Sequence, residues 1–232
     1  MNTHPAAAIT IAALFAIALS VPGSALADPG GCGLDGYIVP PGHINLVGFS
    51  PTAPDPANAA DAAAPGARLT VTVLDLARNP VAGAQVDLRF PSGPSSQARI
   101  AAAQPWAGET VVCEPGVVHV YKTTDALGRA DFVVVGGGQA DPAPSQPAQL
   151  WVSVGDCAQF FGAVSIGIYD LNGMQGLAIA DLSQWASDYF GMTNPMRSDY
   201  DADGTVAIAD LSLWASAYFG GRETASAPTY CP

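Results

Sequence analysis

The chain has 232 residues, 12% of them charged, and a net charge of −12. One lysine, Lys122, and seven scattered arginines form no basic stripe, which argues against a nucleic-acid partner. Beyond the N-terminal segment no apolar run is long enough to span a bilayer.

The first segment is a targeting element rather than part of a fold. Met1 is followed by the apolar run AAAITIAALFAIALSV, then Pro22-Gly23 and SALA ahead of Asp28. An apolar stretch of this length ending in the small-x-small triplet Ala25-Leu26-Ala27 predicts a secretory signal over residues 1–27, cut before Asp28. No basic stop-transfer cluster follows, so the mature chain is expected to be secreted, periplasmic or at the cell surface, without a membrane span. Cys32, Cys113, Cys157 and Cys231 form no CxxC pair, and His43 and His119 are too isolated to complete a zinc site. An even cysteine count in an exported chain favours disulfides, with three possible connectivities that the sequence leaves open.

Residues 28–166 read as β structure interrupted by a low-complexity Ala/Pro loop at 51–67. HINLVGF precedes that loop. RLTVTVLDL follows it, with Leu69, Val71 and Val73 alternating against more polar neighbours. AQVDLRF, VVHVYKT, RADFVVV, QLWVSV and FFGAVSIGI come next, separated by the turn-rich ARNPVAG, DALG, GGGQADPAPSQP and GDC. About seven short strands with turn punctuation and no helical period predict an antiparallel β-sandwich. Trp106 and Trp151 could form a carbohydrate platform, but an isolated Trp in a sandwich more commonly packs in or against the core.

Two turn phrases narrow the architecture. In VTVLDLARNPVAGAQVDLRF, Asn79-Pro80 and Gly83 turn the chain and Val81 pins the corner; in TTDALGRADFVV, Asp125 and Gly128 form the turn ahead of Ala130, Phe132 and Val134. These phrases resemble signatures of bacterial Ig-like domains of the invasin/intimin and carboxypeptidase-regulatory-like types. The resemblance implies an Ig-like antiparallel β-sandwich. It implies little about function, because such sandwiches serve as spacers, adhesins and enzyme accessories.

From residue 169 the composition changes. YDLNGMQGLAIADLSQWASDYFG and DYDADGTVAIADLSLWASAYFG repeat with a period of 29 residues, and 177–191 matches 206–220 at 12 of 15 positions. Leu182, Trp185, Ala186, Tyr189 and Phe190, and their counterparts Leu211, Trp214, Ala215, Tyr218 and Phe219, are spaced as one face of a helix of about three turns, ended by Gly191 or Gly220. Neither short helix would hold alone in water, so the two aromatic stripes are expected to bury against each other.

The acidic stretch ahead of the second helix has the spacing of a twelve-residue calcium loop. Asp199, Asp201 and Asp203 occupy positions 1, 3 and 5, Gly204 supplies the sharp turn at position 6, Thr205 offers a backbone carbonyl at 7, and Asp210 stands at 12. Calcium takes six to eight oxygens, and alternating carboxylates on a tight loop supply them from one side. Pro195 breaks the segment ahead of the loop, so the unit is EF-hand-like but has only the exit helix. Such a loop and exit helix, duplicated near the C-terminus, resembles a type I dockerin over residues 167–221, leaving 222–232 as a tail. The resemblance implies Ca2+ as the bound ion and a cohesin-type protein module as partner. The family's recognition positions fall on Ile179 and Ala180, and on Ile208 and Ala209, where small packing residues are the alternative reading.

The first repeat has the weaker loop. Asp170, Asn172 and Asp181 fill positions 1, 3 and 12, but position 5 is Met174, whose thioether does not ligate calcium, so bound and empty states both stay open. The expectation is an exported, non-catalytic protein in which the calcium module attaches the sandwich to a partner, with polysaccharide-degrading assemblies as the setting that the resemblance implies. Two alternatives are a glycoside hydrolase-associated enzyme component, and an Ig-like adhesin with the calcium module as a structural cap. Against the enzyme, residues 28–168 hold only two glutamates, Glu109 and Glu114, and no catalytic triad, zinc motif or phosphate loop.

Overall fold

The structure is a computed structural model describing residues 37–39, 43–47, 66–75, 77–104, 108–139, 149–155, 163–174, 177–191, 195–219 and 229–232. The predicted signal 1–27, nearly all of the Ala/Pro loop, Cys32, Trp106 and Cys157 lie outside the described residues.

The described chain is mainly β. Its strands are β1 (Tyr37–Val39), β2 (His43–Leu46), β3 (Leu69–Leu74), β4 (Gln85–Pro91), β5 (Ala98–Ile100), β6 (Thr110–Glu114), β7 (Val117–Thr123), β8 (Arg129–Phe132), β9 (Gly136–Gly138), β10 (Gln149–Val154) and β11 (Ala163–Ile168). Helix α1 (Ile179–Gly191), a 3-10 turn at Pro195–Ser198 and helix α2 (Ile208–Phe219) follow. The strands form a three-stranded sheet β1-β3-β8, a six-stranded sheet β2-β11-β10-β4-β7-β6 and a two-stranded ribbon β5-β9.

Period-2 alternation builds the core. Leu69, Val71 and Val73 of β3 and Ala130 and Phe132 of β8 are buried from the smaller sheet. Val86, Leu88 and Phe90 of β4, Val118 and Val120 of β7, and Leu150, Val152 and Val154 of β10 join the same apolar cluster from the larger one. Burying a large aliphatic or aromatic side chain contributes roughly 1.5–3 kcal/mol, so pairing the two apolar faces is the main driving force here. The cluster continues without a break into Tyr169, Leu171, Leu177, Trp185, Tyr200 and Trp214 of the repeats.

The two turn phrases form turns. Asp75 accepts hydrogen bonds from the Asn79 backbone and side chain at 2.7 and 3.0 Å, and Val81 N–H closes onto Val73 O at 2.9 Å. Asp125 Oδ1 accepts from the amides of Leu127 and Arg129, and Gly128 takes a φ of +69° with no room for a side chain.

Among the described strands one pair departs from the antiparallel expectation: β2 pairs with β11 in parallel, from His43 opposite Ser165 to Leu46 opposite Ile168. Parallel neighbours need a long crossover. Here nearly the whole β body separates the two strands in sequence, and local alternation does not record the direction of such a pair. The short β1, β5, β6 and β9 are not among the strands that the sequence pattern predicts. β9 is Gly-Gly-Gly, and β6 is largely exposed, so neither shows a clear apolar alternation.

Of the three cysteine pairings left open, the described residues show Cys113 bonded to Cys231, with Cα atoms 5.4 Å apart. The bond joins the C-terminal segment to β6, while Tyr230 bridges to Ala101 and Cys231 N–H donates to Ile100 O at 2.9 Å.

Candidate metal centre

The second acidic loop brings Asp199, Asp201 and Asp203 together, each with a ligand atom within 4.8 Å of the others. Local hydrogen bonds shape it. Gly204 N–H donates to Asp199 Oδ2 at 2.9 Å, Asp203 N–H to Asp201 Oδ1 at 3.1 Å, and Thr205 gives both its N–H and its hydroxyl to Asp203 Oδ1 at 2.8 and 2.7 Å. Ala202, with φ 61°, and Gly204, with φ 90°, take the left-handed conformations that fold the carboxylates inward.

Asp210 is fully buried, and its carboxylate holds the loop closed. Oδ1 accepts from Tyr200 N–H at 2.6 Å and Asp201 N–H at 3.3 Å, and Oδ2 accepts from Ala207 N–H at 2.8 Å. The carboxyl at loop position 12 thus reaches back to the amide of Ala207, just ahead of α2, while tying down two loop amides.

The donor set fits a hard cation. Asp199 is buried, yet its Oδ1 has no hydrogen-bond partner. Such an atom costs roughly 1–3 kcal/mol unless something satisfies it. Burial pushes the Asp199 carboxyl above the usual carboxylate range and repulsion from Asp210 adds to this, while hydrogen bonds from Thr205 hold exposed Asp203 below it. A cation among the three would satisfy the orphan oxygen and relieve the repulsion. All the donors are carboxylate oxygens, which suit calcium or magnesium better than softer metals.

The first loop repeats this frame without its third carboxylate. Asp181 accepts from Asn172 N–H at 3.0 Å and Ala178 N–H at 2.8 Å, matching Asp210, and Gly173 takes a φ of 63° where the second loop has Ala202. Asp170 Oδ1 accepts from Gly173 N–H at 2.8 Å, and its Oδ2 accepts from Tyr230 OH at 3.3 Å. Burial, with repulsion from Asp170, pushes Asp181 up to about 7. Met174 at position 5 is 63% exposed and contributes no charge.

On the helices, Ile179 and Ile208 are 64% and 61% exposed, and Ala180 and Ala209 are exposed beside them. The buried row is Asp181, Trp185 and Asp188 in α1, and Asp210, Trp214 and Ala217 in α2. This corrects the aromatic stripe at its end. Phe190 and Phe219 are 81% and 82% exposed, because five residues beyond Trp185 or Trp214 lie about 140° round the helix. α1 packs on the 3-10 turn, which packs on β11, and Trp214 Nε1 donates to Tyr169 O at 3.2 Å.

Sequence reasoning missed the residues that tie the loop to the sheet. Tyr200, at loop position 2, is buried, stacks on Tyr169 at 4.7 Å and donates its hydroxyl to Ile168 O at 3.0 Å. Asn45 of β2, fully buried, donates Nδ2 to Tyr200 O at 3.0 Å. No signal in the sequence marks Asn45; Tyr200 could have been suspected as an aromatic inside an otherwise polar loop.

A second polar cluster lies on the outer face of the larger sheet. Buried Asp87 accepts from Arg89 Nε at 2.6 Å and contacts His119 Nδ1 at 3.0 Å, with Glu114 4.0 Å from His119 Nε2. Trp151, opposite Arg89 in register, is half-buried. Among the described residues no helix is long and apolar enough to cross a membrane. No family model, curated protein or solved structure matches the chain.

Proposed function

We propose that residues 167–221 are a dockerin-like calcium module that attaches an Ig-like β-sandwich of an exported, non-catalytic protein to a cohesin-type partner. The observation that carries this reading is the buried, unpartnered Oδ1 of Asp199 beside the carboxylates of Asp201 and Asp203. The exposed pairs Ile179-Ala180 and Ile208-Ala209 stand at equivalent places in the two repeats, so a partner would meet the same chemistry from either end. The two glutamates weigh against hydrolysis: Glu109 turns inward to accept from Val133 N–H, while Glu114 is exposed near His119.

The test is a pull-down on immobilised cohesin modules with and without chelator, using charged substitutions at one pair or at both. Substitution at one pair should leave capture largely intact, and substitution at both should abolish it with calcium binding and folding unchanged. If the doubly substituted chain unfolds, these are packing residues. If it folds and is still captured, recognition lies elsewhere. A second reading, the calcium module as a structural cap, is favoured by the burial of Tyr200 against β2 and β11.

A further inference from the structure

An unbroken series of hydrogen bonds leads from the acidic loop into the six-stranded sheet. The Tyr200 carbonyl can only accept, so it fixes the Asn45 amide with Nδ2 donating at 3.0 Å and leaves Oδ1 as an acceptor. His43 Nε2 therefore donates to Asn45 Oδ1 at 2.7 Å, and His43 Nδ1 meets Ser165 Oγ of β11 at 2.7 Å. On the loop side, Tyr200 N–H is held by Asp210 Oδ1 at 2.6 Å. Both peptide units between Asp199 and Asp201 are pinned, one by Asp210 and the other by Asn45.

Two glycines leave the space this arrangement requires. A Cβ on Gly167, which pairs with Asn45 in register, would come within 3.1 Å of the Tyr200 ring and 3.0 Å of Asn45 Cγ. A Cβ on Gly66 would meet Asn45 Nδ2 at 2.5 Å. Asn45 also donates its backbone N–H to Gly66 O at 2.9 Å, which fixes the backbone that carries this side chain.

We propose that Asn45 is a positioning residue for the cation at Asp199, Asp201 and Asp203, acting through the Tyr200 carbonyl, so that filling the loop tightens strands β2 and β11. This rests on the calcium reading above. A ligand set is only as well placed as the groups that orient it, and loss of an outer-shell partner typically weakens metal affinity 10–100-fold. Coupling of this kind is reciprocal: if the sheet orders the loop, a filled loop must stabilise the sheet.

The experiment uses the full chain and calcium alone. Calorimetry measures affinity, and hydrogen–deuterium exchange is followed with and without the ion. Calcium is expected to slow exchange in segments containing His43–Leu46 and Ala163–Ile168 as well as in the loop. Asn45→Ala should bind calcium at least about tenfold more weakly. Thr124→Val, which removes a buried hydroxyl bonded to Val81 O and Ala84 N–H, should leave affinity unchanged. Protection confined to residues 199–219, or equal affinities in Asn45→Ala and the unmodified chain, would overturn the proposal. So would equal losses in the two variants, which would make the effect one of general destabilisation. If Asn45→Ala does not fold, the exchange pattern of the unmodified chain decides. If the unmodified chain takes up no calcium, the metal reading itself fails, an outcome distinct from binding without coupling.

Discussion

Arg197 closes on Asp188 through two hydrogen bonds of 2.7 Å, Nε to Oδ2 and Nη2 to Oδ1, with both side chains buried. Ser198 adds its hydroxyl to the same Oδ2 at 2.7 Å. The pair anchors α1 to the 3-10 turn, which in turn packs on β11. At the equivalent place the second repeat has Ala217, so this is the point where two nearly identical helices take different neighbours.

That asymmetry sets the first prediction. Arg197→Met leaves a buried carboxylate without its partner and should cost about 3–5 kcal/mol in denaturant unfolding. Replacing both residues, Asp188→Leu with Arg197→Met, should recover most of the loss, since a buried ion pair offsets little more than its own desolvation. Additive losses in the double variant would show that the two side chains act independently rather than as a pair.

Calcium should raise the melting temperature and the helical content of the full chain, and a chelator should reverse both. Residues 169–220 carry seven aspartates against one arginine, and a bound cation relieves that repulsion. At a thousandfold excess over the dissociation constant the gain is about 4 kcal/mol. Asp199→Ala combined with Asp201→Ala should behave as the chelated protein does. Circular dichroism melts identical with and without calcium would refute the metal centre.

The first loop should bind more weakly than the second, because Met174 stands where Asp203 stands in the second repeat. Met174→Asp is expected to raise calcium stoichiometry or affinity by calorimetry, the exposed position 5 costing nothing in packing. Tyr230→Phe should add to the effect by removing one hydrogen bond from Asp170 Oδ2. Two equally tight sites in the unmodified chain would contradict this.

Glu109 supplies a pH dependence independent of the metal. Burial pushes its carboxyl from 4.5 up to about 8, and its Oε2 is buried without a partner. The folded state holds the proton more tightly than the unfolded chain. Its stabilising contribution is therefore complete below about pH 4.5 and is lost as the pH rises towards 8. Glu109→Gln should be more stable than the parent at pH 8 and should flatten the fall in melting temperature across that window. Asp181, raised to about 7 without metal, acts in the same direction, so part of the slope should remain. A slope unchanged by the substitution would show that Glu109 ionises freely.

The sequence by itself determined the strands whose alternation is long enough to read, such as β3 and β7, the two helices, and the loop containing Asp199, Asp201 and Asp203. Each is a local property, set by side-chain period or by ligand spacing within a dozen residues. Only the tertiary structure decided the parallel seating of β2 on β11, the Cys113–Cys231 bond and the union of Asp87 with His119. The same holds for Asn45 on the Tyr200 carbonyl, 155 residues apart in the chain. These depend on which surfaces meet in the folded chain. That choice is made by the packing of the whole core, and no local period records it.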